Sequence, residues 1–457
     1  MRNRSGSRCA GARAARTICA AVLAVAATSA GCEARSALDR DALMDPGTCA
    51  SCHPAEYRDW SGSMHAYASD DPVLFALDAL GQRETDGALG SLCIGCHAPM
   101  AFATGAAAVA ADVVDAPRAL RGVTCYFCHQ VDRVDGDHNG QLHLADDGVF
   151  RGGIADPVDT PAHGSAYSPL HDGDRLESSA LCGSCHDVVS PAGVHIERTY
   201  AEWRESVFAT SGPLGVSCSG CHMPGRSGPG ADLPGAPQRR THDHRMPGVD
   251  MALGPWPETE AQRQGIERDL GASLAAKLCV QPPGTEVEVT LDNVLVGHAW
   301  PSGVTHARRG WVELIAYAGG VPIFSSGDVA DGQPVESLDD PQLWQMRSRL
   351  YDGDGNEVHT AWKAATVDAD DLLPPAVTSD PTDPRFYHAV TRRYTLPGVP
   401  DRVTMRVRLR PVGLDLLPPL VDAGLLDPSV ADALPTFTLA STELEWTADA
   451  GIGACVQ

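Results

Sequence analysis

Ten of the fifteen cysteines fall into five copies of one pattern: two cysteines three positions apart, with a histidine directly after the second. The copies are Cys49-Cys52-His53, Cys93-Cys96-His97, Cys125-Cys128-His129, Cys182-Cys185-His186 and Cys218-Cys221-His222. Two thiols at this separation reach the two vinyl groups on one edge of a haem and become thioethers. The imidazole that follows then lies under the iron as its proximal ligand. Zinc sites also use paired cysteines, but they do not need a histidine after every pair, and disulfides need none. The cysteines are therefore expected to carry five covalently attached haem c groups, with iron held by His53, His97, His129, His186 and His222.

The sixth position on each iron decides what the group can do. A second histidine leaves electron transfer, whereas an open position admits a substrate. Twelve histidines lie beyond the five proximal ones, enough for a second imidazole at every site. Six are candidate distal ligands. His65 sits in Ser63-Met64-His65, one helix after the first motif, and His138 follows the third. His163 and His171 flank a Ser/Tyr/Pro loop before the fourth motif. His244 lies in Thr241-His242-Asp243-His244 after the fifth, and His298 in the tight turn Gly297-His298-Ala299-Trp300-Pro301-Ser302-Gly303. Met100 and Met223 follow their motifs too closely to curl round to the far face and are read as packing residues. No dedicated acid–base pair stands out. Asp187, next to the fourth motif, reads as a helix-end or ligand-supporting carboxylate.

These groups need elements to position them. The motifs fall at short intervals between Cys49 and His222, so little protein surrounds each cofactor and the macrocycles must supply much of the apolar core. Short helices are expected over 54–67, behind Pro54, and over 197–209, where Tyr200, Trp203 and Val207 share a face. A longer helix is expected over 258–278, with Ile266, Leu270, Leu274 and Leu278 on one stripe. After Pro282-Pro283-Gly284 the pattern changes to period two. Strands are expected over 287–291, 311–318, 321–325 and 402–410, with a Gly319-Gly320 hairpin turn, and 285–457 reads as a β-sandwich. Asp352-Gly353-Asp354-Gly355-Asn356 lacks the distant glutamate of a calcium loop and reads as a β-turn.

The first residues read as an export leader over 1–31: a basic start with Arg2, Arg4, Arg8, Arg13 and Arg16, then a short apolar run. Ala30-Gly31-Cys32 resembles a lipoprotein cleavage site, and simple cleavage is the alternative; 32–44 would then be a linker. A lipid on Cys32 would be the chain's only membrane anchor, because no other apolar run of about 20 residues occurs. The expected location is the periplasm or the outer membrane. Net charge is −24 over 457 residues, and removal of the leader would take it to roughly −29. Such a chain repels nucleic acid phosphates and complements a redox partner protein with a basic patch. Cys9 and Cys19 lie in the leader. Cys279 and Cys455 bracket the C-terminal segment and form either a disulfide or two free thiols.

At several of these residues the chain resembles the multihaem cytochromes related to cytochrome c-554 and hydroxylamine oxidoreductase. The pieces are Cys49-Ala50-Ser51-Cys52-His53-Pro54 with Tyr57, Trp60 and Ser63-Met64-His65; Gly122-Val123-Thr124-Cys125; Leu181-Cys182-Gly183-Ser184-Cys185-His186-Asp187; and Cys221-His222-Met223-Pro224. The Gly297-to-Gly303 turn looks like one found in β-domains appended to such cytochromes. The resemblance covers 45–310. It implies a multihaem cytochrome c of short helices and loops over 45–280, with closely stacked, mostly bis-histidine haems in parallel and perpendicular pairs, and it carries His65 over as a distal ligand. Pentahaem nitrite reductases share the motif number, but they put lysine in place of one proximal histidine. Here Lys277 and Lys363, the two lysines of the chain, lie outside every motif. The expected function is electron transfer; the alternative is oxidoreduction of a small nitrogen or sulfur compound at one open haem.

Overall fold

Each cysteine motif closes on a single helical turn. The His53 N–H donates to the Cys49 carbonyl at 2.8 Å, His97 to Cys93 at 3.1 Å and His186 to Cys182 at 3.0 Å. These i→i−4 bonds put positions i, i+3 and i+4 on one face, so both thiols and the imidazole emerge together. Thr124 and Ser217 cap the motif helices Cys125–Gln130 and Cys218–His222 by accepting from the Phe127 and Gly220 N–H groups. The computed structural model describes residues 38–457. The expected leader and its cleavage site, with Cys9, Cys19 and Cys32, lie outside the described residues.

The motif region is built from such turns joined by small ladders. The helix expected over 54–67 is two helices, Pro54–Ser61 and Met64–Tyr67, divided at Gly62 and restarted by the Ser63 cap. The segment expected as a helix over 197–209 is helix Thr199–Glu205 followed by the 3-10 turn Val207–Ala209, while Glu197 ends the strand His195–Glu197. Two-stranded pairings join Val131–Val134 to Leu142–Leu144, Val149–Gly152 to Gly164–Tyr167, Val188–Val189 to His195–Glu197, and Gly225–Pro229 to Gln238–His242. Apolar clusters in this region are small. One centres on Ile94, Ala98, Ala101, Ala110 and Val113, another on Leu43, Met44, Met100, Tyr126 and Phe127.

The helix expected over 258–278 stops at Leu270, and Ala275–Gln281 is a strand. Gly271 caps the helix end, where a glycine carries little penalty for leaving it. All four apolar residues of the stripe still reach one core: Ile266 and Leu270 from the helix, Leu274 from the connection and Leu278 from the strand. Their four-residue spacing therefore mimics a continuous helix face across a change of element. The strand pairs with Glu286–Asp292, so the sheet begins on the N-terminal side of the Pro282-Pro283-Gly284 segment.

This part of the chain forms, besides a small three-stranded sheet over 349–368, two larger antiparallel sheets. One contains Val390–Thr395, Glu286–Asp292, Ala275–Gln281 and Cys455–Val456 in that order. The other is centred on Arg309–Ala318 paired with Arg402–Arg410, flanked by Val321–Ser326 and Leu444–Thr447. The strands expected over 287–291, 311–318, 321–325 and 402–410 all lie within these elements. Val287, Val289 and Leu291 from the first sheet and Val312, Leu314, Val403, Met405 and Val407 from the second share one buried cluster with Trp344 and Trp446. Alternation supplies this cluster, since every second residue of each strand points inward. The 352–356 segment is a turn in which the Asp352 carboxylate accepts from the Asp354 and Asn356 N–H groups. Cys279 and Cys455, facing partners on neighbouring strands, form a disulfide.

Two stability outcomes follow. Cys455→Ser opens a loop of 176 residues and should lower unfolding free energy by about 2–5 kcal/mol, measured by denaturant titration of oxidised protein. Asp71 caps helix Pro72–Glu84 through the Val73 N–H, and burial raises its carboxyl from 3.8 to about 6. The folded state then binds the proton more tightly than the unfolded one, so stability falls as pH rises through that window. Asp71→Asn keeps a capping oxygen and should remove this slope, gaining roughly 1–3 kcal/mol at pH 7; an unchanged slope in thermal scans between pH 4 and 7 contradicts the assignment.

Candidate metal centres

Four of the proximal imidazoles are half-buried and the fifth, His186, has 53% of its side chain exposed; most are held by one nitrogen. Nδ1 of His97 meets the Ala68 carbonyl at 3.1 Å, that of His129 the Arg151 carbonyl at 2.5 Å, and that of His222 the Pro247 carbonyl at 2.9 Å. The Gly230 carbonyl bonds His53. A carbonyl accepts only from N–H, which fixes the tautomer and leaves Nε2 as the lone-pair donor that a metal requires. Burial lowers the basicity of all four rings, to about 3 for His129, and keeps them neutral. His186 differs. Burial again opposes its charge, but the Glu197 carboxylate 3.6 Å from Nδ1 outweighs burial and raises the ring to about 9.

Four of these rings face a second imidazole. Ring centroids are 6.3 Å apart for His53 and His163, 6.2 Å for His186 and His65, 6.4 Å for His129 and His244, and 6.5 Å for His222 and His298. Two imidazole–metal bonds of about 2 Å, plus about 1 Å from nitrogen to centroid in each ring, give roughly 6 Å. The spacing thus fits one metal ion between each pair, and the residues present fit the cofactor implied by the cysteine motifs. The second rings are prepared in the same way. Nδ1 of His163, His244 and His298 meets the carbonyl of Gly164, His242 and Ala299 respectively, and Nδ1 of His65 meets the Met246 sulfur at 2.9 Å. Nε2 of these four makes no hydrogen bond among the described residues.

The two other candidates are placed differently. His171 also stacks on His129, at 5.8 Å, but its Nε2 is bound to the Cys128 carbonyl. His138 lies at the surface between Asp137 and Gln141 and approaches no proximal ring. His97 stacks against no second imidazole among the described residues. Asp187 accepts from the Ala201 N–H at the start of helix Thr199–Glu205 and approaches His195, so it supports a helix end.

Distant segments deliver the second rings. Gly122, at φ +67°, lies so close to His65 that a Cβ there would stand 2.6 Å from the His65 carbonyl and 2.7 Å from that of Ala66. The Val123 N–H donates to the His65 carbonyl at 2.8 Å, and the Trp60 indole donates to the Val123 carbonyl. The turn bearing His298 comes from the sheet region and is caught by helix Thr199–Glu205: the Ala299 N–H donates to Glu202, and the Gly303 N–H to Thr199 Oγ1. None of the imidazole-fixing carbonyls carries a sequence signal, because every residue has one. Glu197 stands outside every motif.

The attachment sites are close to one another. The Cys49 and Cys125 thiols, those of Cys96 and Cys185, and those of Cys182 and Cys218 each perturb their partner's ionisation. Gly140, at φ +68°, docks between the second and fourth motifs. Its N–H donates to the Ser184 carbonyl, and a Cβ there would stand 3.2 Å from the Gly95 carbonyl and 3.5 Å from the Cys96 sulfur. None of the ten motif cysteines is disulfide-bonded.

Comparison with known proteins agrees with this geometry. Residues 48–130 match the family described as cytochrome c554 and c-prime. The fold is similar to the crystal structure of a penta-heme cytochrome c552 from Thermochromatium tepidum, with a TM-score of 0.59 and 22% identity over 85% of this chain and 97% of that one. No curated protein matches the chain. Residues 48–130 thus resemble the cytochrome c554 family, and the fold is similar to that of a multihaem cytochrome. Gly122→Val should displace His65 and cost about 1–3 kcal/mol in backbone strain alone, read as a lower midpoint of thermal unfolding, whereas Gly87→Ala, whose added Cβ meets nothing within 4 Å, should cost less.

Proposed function

We propose that the chain is an exported electron carrier holding five haems c, with the iron pairs His53/His163, His186/His65, His129/His244 and His222/His298. The single observation that carries this reading is the recurrence of one 6.2–6.5 Å imidazole spacing at four motifs. Haem c supplies a one-electron ferric/ferrous couple when bound. The protein's part is to fix the imidazoles through one nitrogen and to hold the attachment sites together. The thiol proximities support a connected order, first motif to third, fourth to fifth, with the second beside the fourth. Cys128 also lies within electrostatic reach of Cys182 and Cys185, which links third to fourth. Stacked packing of the macrocycles and a β-sandwich reading of the two sheets are part of this proposal.

The chain's acidity supports a redox partner with a basic patch, and its first residues support export with a lipid on Cys32. Among the described residues no helix is long and apolar enough to cross a membrane.

His97 favours a second reading, oxidoreduction of a small nitrogen or sulfur compound at that one site. It alone of the proximal rings lacks a facing imidazole among the described residues.

The two readings part on one preparation. Pyridine haemochromogen and intact mass should give five haems per chain; an unmodified polypeptide removes the proposal. The ferric EPR spectrum should be dominated by low-spin signals. One signal should be markedly more anisotropic, because the His65 and His186 planes are 70° apart while the other three pairs lie within 34°. Carbon monoxide or nitrite that perturbs one haem and loses that effect in His97→Ala supports the enzyme reading; a spectrum indifferent to both ligands leaves electron transfer.

A further inference from the structure

Four proximal imidazoles lean on neutral backbone carbonyls, and the fifth leans on a carboxylate. Glu197 is 7% exposed and lies 3.6 Å from His186 Nδ1. Its charge also reaches His97 and His298 at longer range. Thr199 Oγ1 donates to Oε1 at 3.4 Å, and Arg308 lies within electrostatic reach but is committed to Asp250 and the Pro411 carbonyl. Among the described residues, His186 is the one chargeable group within ion-pair distance of Glu197. The carboxylate is therefore nearest to one imidazole, and its own burial limits the screening of its charge by water.

A negative charge at the outer nitrogen of a ligating imidazole makes the ring a stronger donor and stabilises the higher metal charge. We infer that Glu197 is a potential-setting residue, which holds the iron bound by His186 and His65 at a lower reduction potential than the same ligand pair would have against a carbonyl. The inference rests on the proposed function for its iron, and it adds a direction to the arrangement. The fourth motif adjoins the second through Cys96 and Cys185, the fifth through Cys182 and Cys218, and the third through Cys128. Glu197 thus acts at a junction. An electron that leaves this iron oxidises it from ferrous to ferric and reduces a neighbouring ferric iron to ferrous. No bond forms or breaks, and Glu197 favours that departure.

The test uses the full, haem-loaded chain and follows potentiometric titration by EPR. The most anisotropic low-spin signal identifies the His65/His186 iron through its 70° ligand planes. In Glu197→Gln, the midpoint of that component should rise. At fixed poise its ferrous-to-ferric ratio should increase about tenfold, equivalent to about 59 mV for one electron, with smaller movements elsewhere. Glu197→Asp draws the charge back and should give an intermediate shift. Glu260→Gln, an exposed carboxylate on helix Thr259–Leu270 that accepts from Gln264, should leave this component in place. An unmoved midpoint in Glu197→Gln with five haems bound overturns the inference. Should that variant fail to load, an unmoved midpoint in Glu197→Asp overturns it equally. Failure of the underlying function is separate: the wild-type chain would then lack five haems or lack the anisotropic signal.

Discussion

An imidazole offers a metal only one nitrogen at a time, and the other must be occupied if the ring is to stay aimed. The structure depends on that constraint. Carbonyls of Ala68, Arg151, Gly230 and Pro247 hold four proximal rings, and carbonyls of Gly164, His242 and Ala299 hold three of the facing ones. Each carbonyl belongs to a loop or a short element that would have little reason to be ordered by its own apolar content. The loops and the rings stabilise one another: a buried unpaired carbonyl is costly, and so is a buried N–H without an acceptor. This explains how a region with small apolar clusters keeps a defined shape.

What could be read from the chain beforehand divides along the same line. The Cys-x-x-Cys-His motifs were legible because attachment chemistry needs contiguous residues, and these motifs do close on helical turns. The facing rings were only partly legible, since ligation needs a position in space and places no demand on sequence separation. His65 follows its motif by one helix yet faces His186, far along the chain, and His171 and His244 compete for the neighbourhood of His129 with only their hydrogen bonds to distinguish them. His138 looked equivalent as a sequence feature and lies at the surface. Period-two alternation located the main strands well. The leucine stripe over 258–278 misled because four-residue spacing survives a helix-to-strand change when both elements feed one core; Gly271 was the available stop signal.

Glycines do positional work that side chains could not. Gly122 and Gly140 sit at positive φ where backbones of different motifs come within contact distance. Gly183 makes room for the Tyr200 ring, which would otherwise collide with a Cβ. The close spacing of attachment sites is thus encoded partly by the smallest residues, between the conspicuous cysteines.

The turn that carries His298 has a consequence for biogenesis. It is presented by the sheet region and clasped by Glu202 and Thr199, yet the ring it delivers faces His222. During synthesis the fifth motif emerges well before this turn does. On the proposed reading, an iron held by His222 and His298 would stay incomplete until the turn at 297–303 has arrived and docked. Completion of that site would then report on the folding of the sheet region, because the turn that supplies His298 is presented by it.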